Sequence, residues 1–132
     1  MSAQAETLAS SDPKAFASTE GGAERWVAAC RLDDMVPNAG VCALVAGCQV
    51  AIFRLDDDSL HAIGNRDPLS GANVLSRGIV GDLGGEVVVA SPIYKQHFSL
   101  VSGRCLEEPG VAVPVYAVRL DGAVVKIREP RD

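Results

Sequence analysis

The sequence has no excess of basic residues and no long apolar run, and both absences exclude classes of function. Its 132 residues include 12 Lys and Arg against 17 Asp and Glu, which gives a net charge of −5 at pH 7. Binding to nucleic-acid phosphates requires a basic surface, so no nucleic-acid partner is expected. A membrane-spanning helix needs about 20 consecutive apolar residues, and no stretch approaches that length. We therefore expect one globular domain that binds neither nucleic acid nor a membrane.

The first 24 residues lack the pattern of a secretory signal, which is a basic start and an apolar stretch of about 7–15 residues before a cleavage site. After Met1, their large apolar side chains are Leu8 and Phe16. Such a segment buries too little apolar surface to offset the entropy lost on ordering. We predict a flexible amino-terminal tail over 1–24, a β domain over 25–130 and a cytoplasmic location.

The cysteines do not form a metal-binding pattern. They are Cys30, Cys42, Cys48 and Cys105, and no C-x-x-C pair occurs, which argues against a zinc or ferredoxin-type site. Cys42 and Cys48 flank a two-residue hairpin turn at 46–47, and the alternating pleat places them on opposite faces of the sheet. We expect free, buried thiols in a reducing compartment.

Motifs of nucleophilic catalysis and of phosphate binding are also absent. No Ser/His/Asp or Cys/His arrangement has a recognisable spacing. The glycine-rich segment 81–85 lacks both the Lys-Ser/Thr ending of a phosphate loop and the G-x-G-x-x-G pattern. We expect no catalytic residue in this chain.

Short apolar segments separated by turn residues predict an all-β domain of about eight strands, arranged as an antiparallel sandwich or barrel. In the first hairpin, Val45 is expected to pair with Cys48 and Cys42 with Ala51. The segment from 64 to 85 is expected to form loops. The predicted strands are 26–29, 41–45, 48–55, 60–63, 87–90, 97–100, 112–120 and 124–128, with one helical turn at 32–37 and further hairpin turns at 56–59 and 121–122.

Two segments, 62–72 and 89–103, have the framework of a pair of metal-binding loops. In Rieske domains an N-x-C-P-H-x-G-A loop meets a C-P-x-H-G-x-x-F-x-L-x-x-G loop, and each gives one Cys and one His to a 2Fe–2S cluster. The matching framework positions here are Asn65, Pro68, Gly71, Ala72, Pro92, Phe98, Leu100 and Gly103. The domain thus resembles a Rieske domain, which implies an ISP-type antiparallel β sandwich or barrel with two former cluster-binding loops.

The four cluster-ligand positions of this resemblance hold other residues, namely Asp67, Leu69, Ser91 and Tyr94. Leu69 has no donor atom, and carboxylate, hydroxyl and phenol groups do not replace the thiolates of an iron–sulfur cluster. The two histidines, His61 and His97, fall outside the ligand positions. We therefore expect no cofactor and no metal in this chain.

Within that family, the stretch from Trp26 to Ile127 resembles the small subunit of NAD(P)H-dependent assimilatory nitrite reductase. The motifs that carry the resemblance are Val41–Val45, Gln49–Phe53, Ile63–Pro68, Ser70–Asp82 and Ala90–Leu100. The resemblance implies a non-redox subunit that binds and supports a large subunit, which reduces nitrite to ammonium in nitrate assimilation. FAD, an iron–sulfur cluster and siroheme are then expected in the large subunit.

Four side chains of these segments are candidates for contact with the large subunit: Arg66, Arg77, Tyr94 and Lys95. An aromatic residue beside a cation is typical of interface anchors, and guanidinium groups pair with carboxylates. Solvated loop side chains are the alternative. For Asp67 we predict a hydrogen-bond acceptor within its own turn.

Some alternatives stay open at this level. The segment 73–82 is either a recognition segment or a cover over a sheet edge, and the cover is favoured because exposed edges invite unwanted pairing. Trp26 and Phe53 are predicted to lie in the core. The chain as a whole could instead be a Rieske-type 2Fe–2S electron-transfer protein, which needs four ligands, or a stand-alone regulatory β domain unrelated to nitrite.

Overall fold

A computed structural model describes residues 25–129; the predicted tail over 1–24 and residue 130 of the predicted domain lie outside this range. The described chain is built from antiparallel strands and two short 3₁₀ turns, at Leu32–Asp34 and Leu75–Arg77. Within 25–129, no helix is long and apolar enough to cross a membrane. The strands are β1 (Trp26–Arg31), β2 (Ala39–Val45), β3 (Cys48–Arg54), β4 (Leu60–Gly64), β5 (Ile79–Leu83), β6 (Glu86–Ala90), β7 (His97–Ser99), β8 (Val115–Tyr116), β9 (Val118–Asp121) and β10 (Val124–Arg128).

The strands form three sheets around two hydrophobic cores. Their orders are β1-β10-β9, β2-β3-β4-β8 and β5-β6-β7. Along β3, Val50 and Ile52 belong to a core shared with β10, whereas Ala51 and Phe53 belong to a second core shared with β6 and β7. A strand buried on both faces has a continuous apolar run instead of an alternating one. The predicted all-β antiparallel fold is confirmed, with the four-stranded sheet between the two cores.

The predicted hairpins are confirmed. In β2–β3, Val45 pairs with Cys48 and Cys42 pairs with Ala51. The two turn residues, Ala46 and Gly47, have φ values of 50° and 81°, and two positive φ values in a two-residue loop match the right-handed twist of the strands. The turns at 56–59 and around 122 join β3 to β4 and β9 to β10, and both pairs are antiparallel.

Two predicted segments differ in the structure. The expected strand over 112–120 is divided, because β8 pairs with β4 in one sheet whereas β9 pairs with β10 in another. Part of the expected loop region forms β5, which pairs with β6. Its sequence includes Gly81 and Asp82, which disfavour strands, so pairing with β6 decides its conformation. β5 thus covers the edge of β6, as the favoured alternative predicted, although Ile79 remains 77% exposed.

The expectation of buried thiols is wrong for two cysteines. Cys42 and Cys48 are exposed, Cys30 is half-buried and Cys105 is buried. Both exposed thiols belong to the β2–β3 hairpin. Burial, together with the nearby Asp34 carboxylate, raises the pKa of the Cys30 thiol to about 11.

Trp26 and Phe53 are both predicted to lie in the core, and the prediction is correct for Phe53 only. Phe53 is fully buried. Trp26 is half-buried, because β1 is an edge strand, and the guanidinium carbon of Arg119 lies 4.4 Å from the centroid of its ring. An arginine over an indole face is a favourable cation–π arrangement. Trp26 therefore contributes to the margin of the sheet and not to its core.

The two ends of the described chain lie side by side. The backbone N–H of Glu129 donates to the carbonyl oxygen of Arg25 at 2.7 Å, and the Arg25 Nε lies 3.0 Å from Glu129 Oε1. The next residues inward, Trp26 and Arg128, are partners in the β1–β10 register. The fold is thus closed by pairing of its first and last strands.

Gly103 is expected to tolerate no side chain. Its φ is +79°, and a Cβ would collide with the carbonyl oxygen of Val113. Gly103→Ala should lower the free energy of unfolding by roughly 3 kcal/mol, measured by urea unfolding. Gly84→Ala is the matched control, since Gly84 has φ +62° with no atom within 4 Å of its Cβ position, and should lose about 1 kcal/mol. Equal losses in the two variants would contradict the collision.

Candidate functional site

Two six-residue loops with the same backbone geometry carry the candidate site. The first loop (67–72) follows β4, and the second loop (91–96) joins β6 to β7. In the first, the Asp67 N–H donates to Ala72 at 2.8 Å and the Gly71 N–H donates to the Asp67 carbonyl at 2.7 Å. In the second, the Ser91 N–H donates to Gln96 at 2.9 Å and the Lys95 N–H to the Ser91 carbonyl at 3.0 Å. Asp67 and Ser91 therefore occupy equivalent positions.

The side chain that opens each loop also accepts hydrogen bonds from its own turn. Asp67 Oδ1 accepts from the N–H of Leu69 at 2.8 Å and from that of Ser70 at 3.4 Å. Ser91 Oγ accepts from the N–H of Ile93 at 3.3 Å. The predicted role of Asp67 as a turn acceptor is confirmed.

A hydrogen bond joins the two loops directly. The Ser91 hydroxyl donates to Asp67 Oδ2 at 2.5 Å, and both residues are 0% exposed. A short bond to an ionised acceptor away from water is stronger than a bond between neutral groups. The resemblance places both residues at ligand positions of two loops that meet, but sequence reasoning did not predict a direct hydrogen bond between their side chains.

The surroundings of Asp67 favour its charged form. Burial raises the pKa of this carboxyl, but the hydrogen bonds from the Ser91 hydroxyl, from the Leu69 N–H and from Ser70 outweigh burial, so the pKa lies below its ordinary value. Asp67 is consequently ionised at neutral pH and accepts the hydrogen bond that the Ser91 hydroxyl donates.

The fifth residue of each loop has a left-handed backbone. Gly71 has φ +80° and Lys95 has φ +69°. A third loop (99–104) repeats the pattern, with the Ser99 hydroxyl accepting from two N–H groups at 3.1 Å and Gly103 at φ +79°. Sequence reasoning missed this loop, although its Ser-x-x-x-Gly spacing parallels the Asp-x-x-x-Gly of the first. Lys95 alone in this position is not glycine.

The other two predicted ligand positions, Leu69 and Tyr94, lie in different environments. Leu69 is half-buried and packs against the core between β3, β6 and β7. Tyr94 is 59% exposed at the tip of the second loop. The four positions predicted as former ligands therefore do not converge: Asp67 and Ser91 bond to each other, whereas Leu69 and Tyr94 diverge from them.

This donor set does not fit a 2Fe–2S cluster. The irons of such a cluster require thiolate or imidazole ligands, and the four positions offer a carboxylate, a hydroxyl, a phenol and a hydrocarbon. The carboxylate and the hydroxyl already satisfy each other. Over residues 25–129, no group of three or more His, Cys, Asp or Glu side chains is close enough to share a metal ion.

The two histidines, which the sequence places outside the predicted ligand positions, form other contacts. His97 Nδ1 lies 2.6 Å from Glu107 Oε2, and the His97 N–H donates to Glu107 Oε1 at 2.8 Å. That N–H, with the imidazole, lowers the pKa of Glu107 despite some burial. His61 lies 3.3 Å from the Ser59 hydroxyl, and burial lowers its pKa.

Buried Asn65 ties the first loop to the turn that carries Arg77. Asn65 accepts from the N–H of Leu75 at 3.0 Å through its carbonyl, and from that of Ser76 at 2.7 Å through its side chain. Arg66 follows Asn65 and Arg77 follows Ser76, so these hydrogen bonds connect two of the predicted contact residues through their neighbours.

The predicted contact residues are exposed cations and an aromatic. Arg66, Arg77 and Lys95 are exposed and form no ion pair with any carboxylate of the described chain. The Lys95 ammonium donates to the carbonyl of Pro92 at 3.2 Å. Four other cations of the described chain form ion pairs, whereas Arg104 and Arg119 form none; the pairs are Arg25–Glu129, Arg31–Asp33, Arg54–Asp58 and Lys126–Asp121. Charge on these loops is thus free to pair with another molecule.

An open cleft of about 530 Å³ adjoins the first loop. Arg66, Pro68 and Asn73 line one part of it, and Cys48 and Tyr116 line another. The cleft extends the surface of the first loop toward the β2–β3 hairpin.

Comparison with known proteins places the chain among Rieske-like relatives. Residues 25–128 match the family described as "Rieske-like [2Fe-2S] domain". The chain is 46% identical over 105 residues to the nitrite reductase (NADH) small subunit of Salmonella typhimurium, a match that covers 79% of this chain and 97% of that protein. The NMR structure of the Escherichia coli protein NirD is similar with a TM-score of 0.77 and 42% identity, covering 83% of this chain and all of that chain.

A much longer relative also matches. The nitrite reductase [NAD(P)H] large subunit of Klebsiella oxytoca is 42% identical over 100 residues, which are 76% of this chain and 10% of that protein. A segment similar to this chain therefore lies within a protein roughly ten times as long as the match.

The charge of Asp67 should make stability depend on pH. At pH 7, Asp67→Asn is expected to lower the free energy of unfolding by about 2 kcal/mol. Because the folded pKa is lowered, this contribution is complete above the ordinary value of 3.8 and is lost as the pH falls through the folded value. The difference in free energy of unfolding between wild type and Asp67→Asn, measured by urea unfolding, should therefore decrease below about pH 4.

Asp56→Asn is the control, since Asp56 is exposed in the turn between β3 and β4. At pH 7 it should leave the free energy of unfolding nearly unchanged. A gap for Asp67→Asn that stays constant down to about pH 3 would show that its charge is not the stabilising feature.

Proposed function

Because this chain belongs to the Rieske-like [2Fe-2S] domain family and, within it, to the nitrite reductase small subunits, we propose that it binds the large subunit of that enzyme and supports nitrite reduction without carrying electrons itself. Its place is in NAD(P)H-dependent reduction of nitrite to ammonium during nitrate assimilation in the cytoplasm. The similarity favours this role over a 2Fe–2S electron carrier and over a stand-alone regulatory β domain.

One observation carries the proposal. In Klebsiella oxytoca a segment 42% identical to this chain is part of the large subunit itself. Joining two modules in one polypeptide raises their effective concentration and fixes their stoichiometry, which is useful for modules that work in contact. A separate small subunit that does the same work needs a surface that replaces the covalent link.

The cofactors of the reaction belong to the large subunit in this proposal. FAD, an iron–sulfur cluster and siroheme are expected there from the family resemblance. The small subunit's own former ligand positions support this division, since Asp67 and Ser91 are engaged with each other at 2.5 Å and Leu69 offers no donor atom. In this proposal the small subunit acts by binding the large subunit, which promotes the assembly or activity of the large subunit.

We assign the contact to a docking surface formed by Arg66, Arg77, Tyr94 and Lys95. All four are exposed, and the three cations lack carboxylate partners in the described chain. A carboxylate-bearing patch on the large subunit would pair with them, and Tyr94 would add apolar area. This surface lies within the predicted domain over 25–130.

The backbone of Lys95 supports a functional role for its side chain. Its left-handed conformation is costly for a residue with a Cβ, and the equivalent residues of the other two loops are Gly71 and Gly103. Strain of this kind is typical of positions at which a particular side chain is needed.

Reversing the charge of the docking surface should weaken association. Arg66→Glu combined with Lys95→Glu is expected to reduce co-purification with the large subunit at least tenfold, because two favourable pairings become repulsive. The measurement is a pull-down from nitrate-grown cells, with iron analysis of the isolated chain, which should be colourless and iron-free. Arg31→Glu, a cation on β1, is the control and should bind normally.

Unchanged binding by the double charge reversal would rule out these loops as the contact surface. Two irons per chain, with visible absorption, would instead establish an electron carrier.

Lys95→Gly should separate stability from binding. Removing the left-handed strain is expected to raise the free energy of unfolding by roughly 1 kcal/mol, while loss of the cation weakens binding to the large subunit. Lys95→Arg should keep binding without the gain in stability. Urea unfolding and a titration with the large subunit measure the two effects, and a variant that gains stability and still binds fully would exclude Lys95 from the contact.

A further inference from the structure

We infer that Asp67 and Ser91 are positioning residues, whose hydrogen bond cross-links the first and second loops and holds the docking surface in the shape that the large subunit binds. The inference rests on the proposed function for its binding part. Its structural part concerns the isolated chain alone.

The bond joins equivalent points of two equivalent loops. In each loop the N–H of the first residue donates to the carbonyl of the sixth, and the N–H of the fifth donates to the carbonyl of the first, at 2.7–3.0 Å. A cluster that took ligands from both loops would cross-link them through the metal. Here the first residue of each loop, Asp67 and Ser91, makes that cross-link directly at 2.5 Å.

Every polar side-chain atom of the pair has a hydrogen-bond partner. Asp67 Oδ1 accepts from the N–H groups of Leu69 and Ser70, and Oδ2 accepts from Ser91. The Ser91 oxygen accepts from Ile93. Both side chains are 0% exposed, so water cannot replace a lost partner. Removing either group would leave the other buried and incompletely bonded, which favours one arrangement of the two loops.

The docking surface is attached to this pair through short stretches of chain. Arg66 precedes Asp67, whereas Tyr94 and Lys95 lie inside the loop that Ser91 opens. An interface whose loops are ordered before binding loses less conformational entropy on association. The cross-link is therefore expected to increase affinity without touching the partner.

The third loop provides a matched comparison within the same fold. Ser99 is also 0% exposed and accepts two N–H groups of its own turn at 3.1 Å. It makes no bond to Asp67. Ser99→Ala thus removes the same kind of bonds within a turn as Ser91→Ala, but leaves the cross-link in place.

The test exchanges the two groups between the loops. Ser91→Asp alone brings two buried carboxylates together, and Asp67→Ser alone removes the carboxylate. Because the loops have the same geometry, the double variant Asp67→Ser/Ser91→Asp should restore the pair and be more stable than either single variant. Hydrogen exchange at the N–H groups of Leu69 and Ile93 should be slow in wild type and in the double variant, and at least tenfold faster in both single variants.

Binding to the large subunit tests the positioning role. Ser91→Ala is expected to weaken affinity about tenfold, and the double variant should recover it. Ser99→Ala should change affinity by less than about twofold, although it also lowers stability. If Ser91 has only a structural role, Ser91→Ala and Ser99→Ala should bind the large subunit with the same affinity at a temperature where both are folded.

Two results would overturn the inference in different ways. A double variant no more stable than its single variants would show that Asp67 and Ser91 are not a pair. Normal affinity of Ser91→Ala for the large subunit would show that the pair does not position the docking surface. The proposed function would still stand if Arg66→Glu/Lys95→Glu weakens binding in the same assay. Normal binding by both variants would reject the docking surface as well.

Discussion

The hydrogen bond from Ser91 to Asp67 is the constraint on which the candidate site depends. Each loop closes on itself through its backbone, and the side chain of its first residue contacts the first residue of the other loop. A hydroxyl has one proton to donate and a carboxylate has none, so the pair is satisfied in only one direction. In a family described by its iron–sulfur cluster, two side chains at the positions predicted as former metal ligands are bonded to each other.

The sheets supply the rigid support for these loops. The first loop follows β4, a central strand of the middle sheet, and the second connects β6 to β7 in the outer sheet. Side chains of β3, β4, β6 and β7 share one core, so the two loops are fixed relative to each other by packing as well as by their own bond. Leu69 adds to this, because its hydrocarbon side chain packs against the same core.

Local patterns in the sequence predicted the features that depend on neighbouring residues. The β2–β3 hairpin followed from its two-residue turn, and the turn role of Asp67 followed from its residue type. The division of 112–120 between two sheets could not be predicted, because periodicity does not reveal which sheet a strand joins. The bond between Asp67 and Ser91 joins residues 24 positions apart, and only the packed structure brings them together.

The side-by-side ends of the described chain have a consequence for the evolution of such enzymes. Because Arg25 and Glu129 are hydrogen-bonded neighbours, a longer polypeptide can enter and leave this domain at one place without disturbing its sheets. Gene fusion and gene splitting then require no refolding of the domain and no new loops.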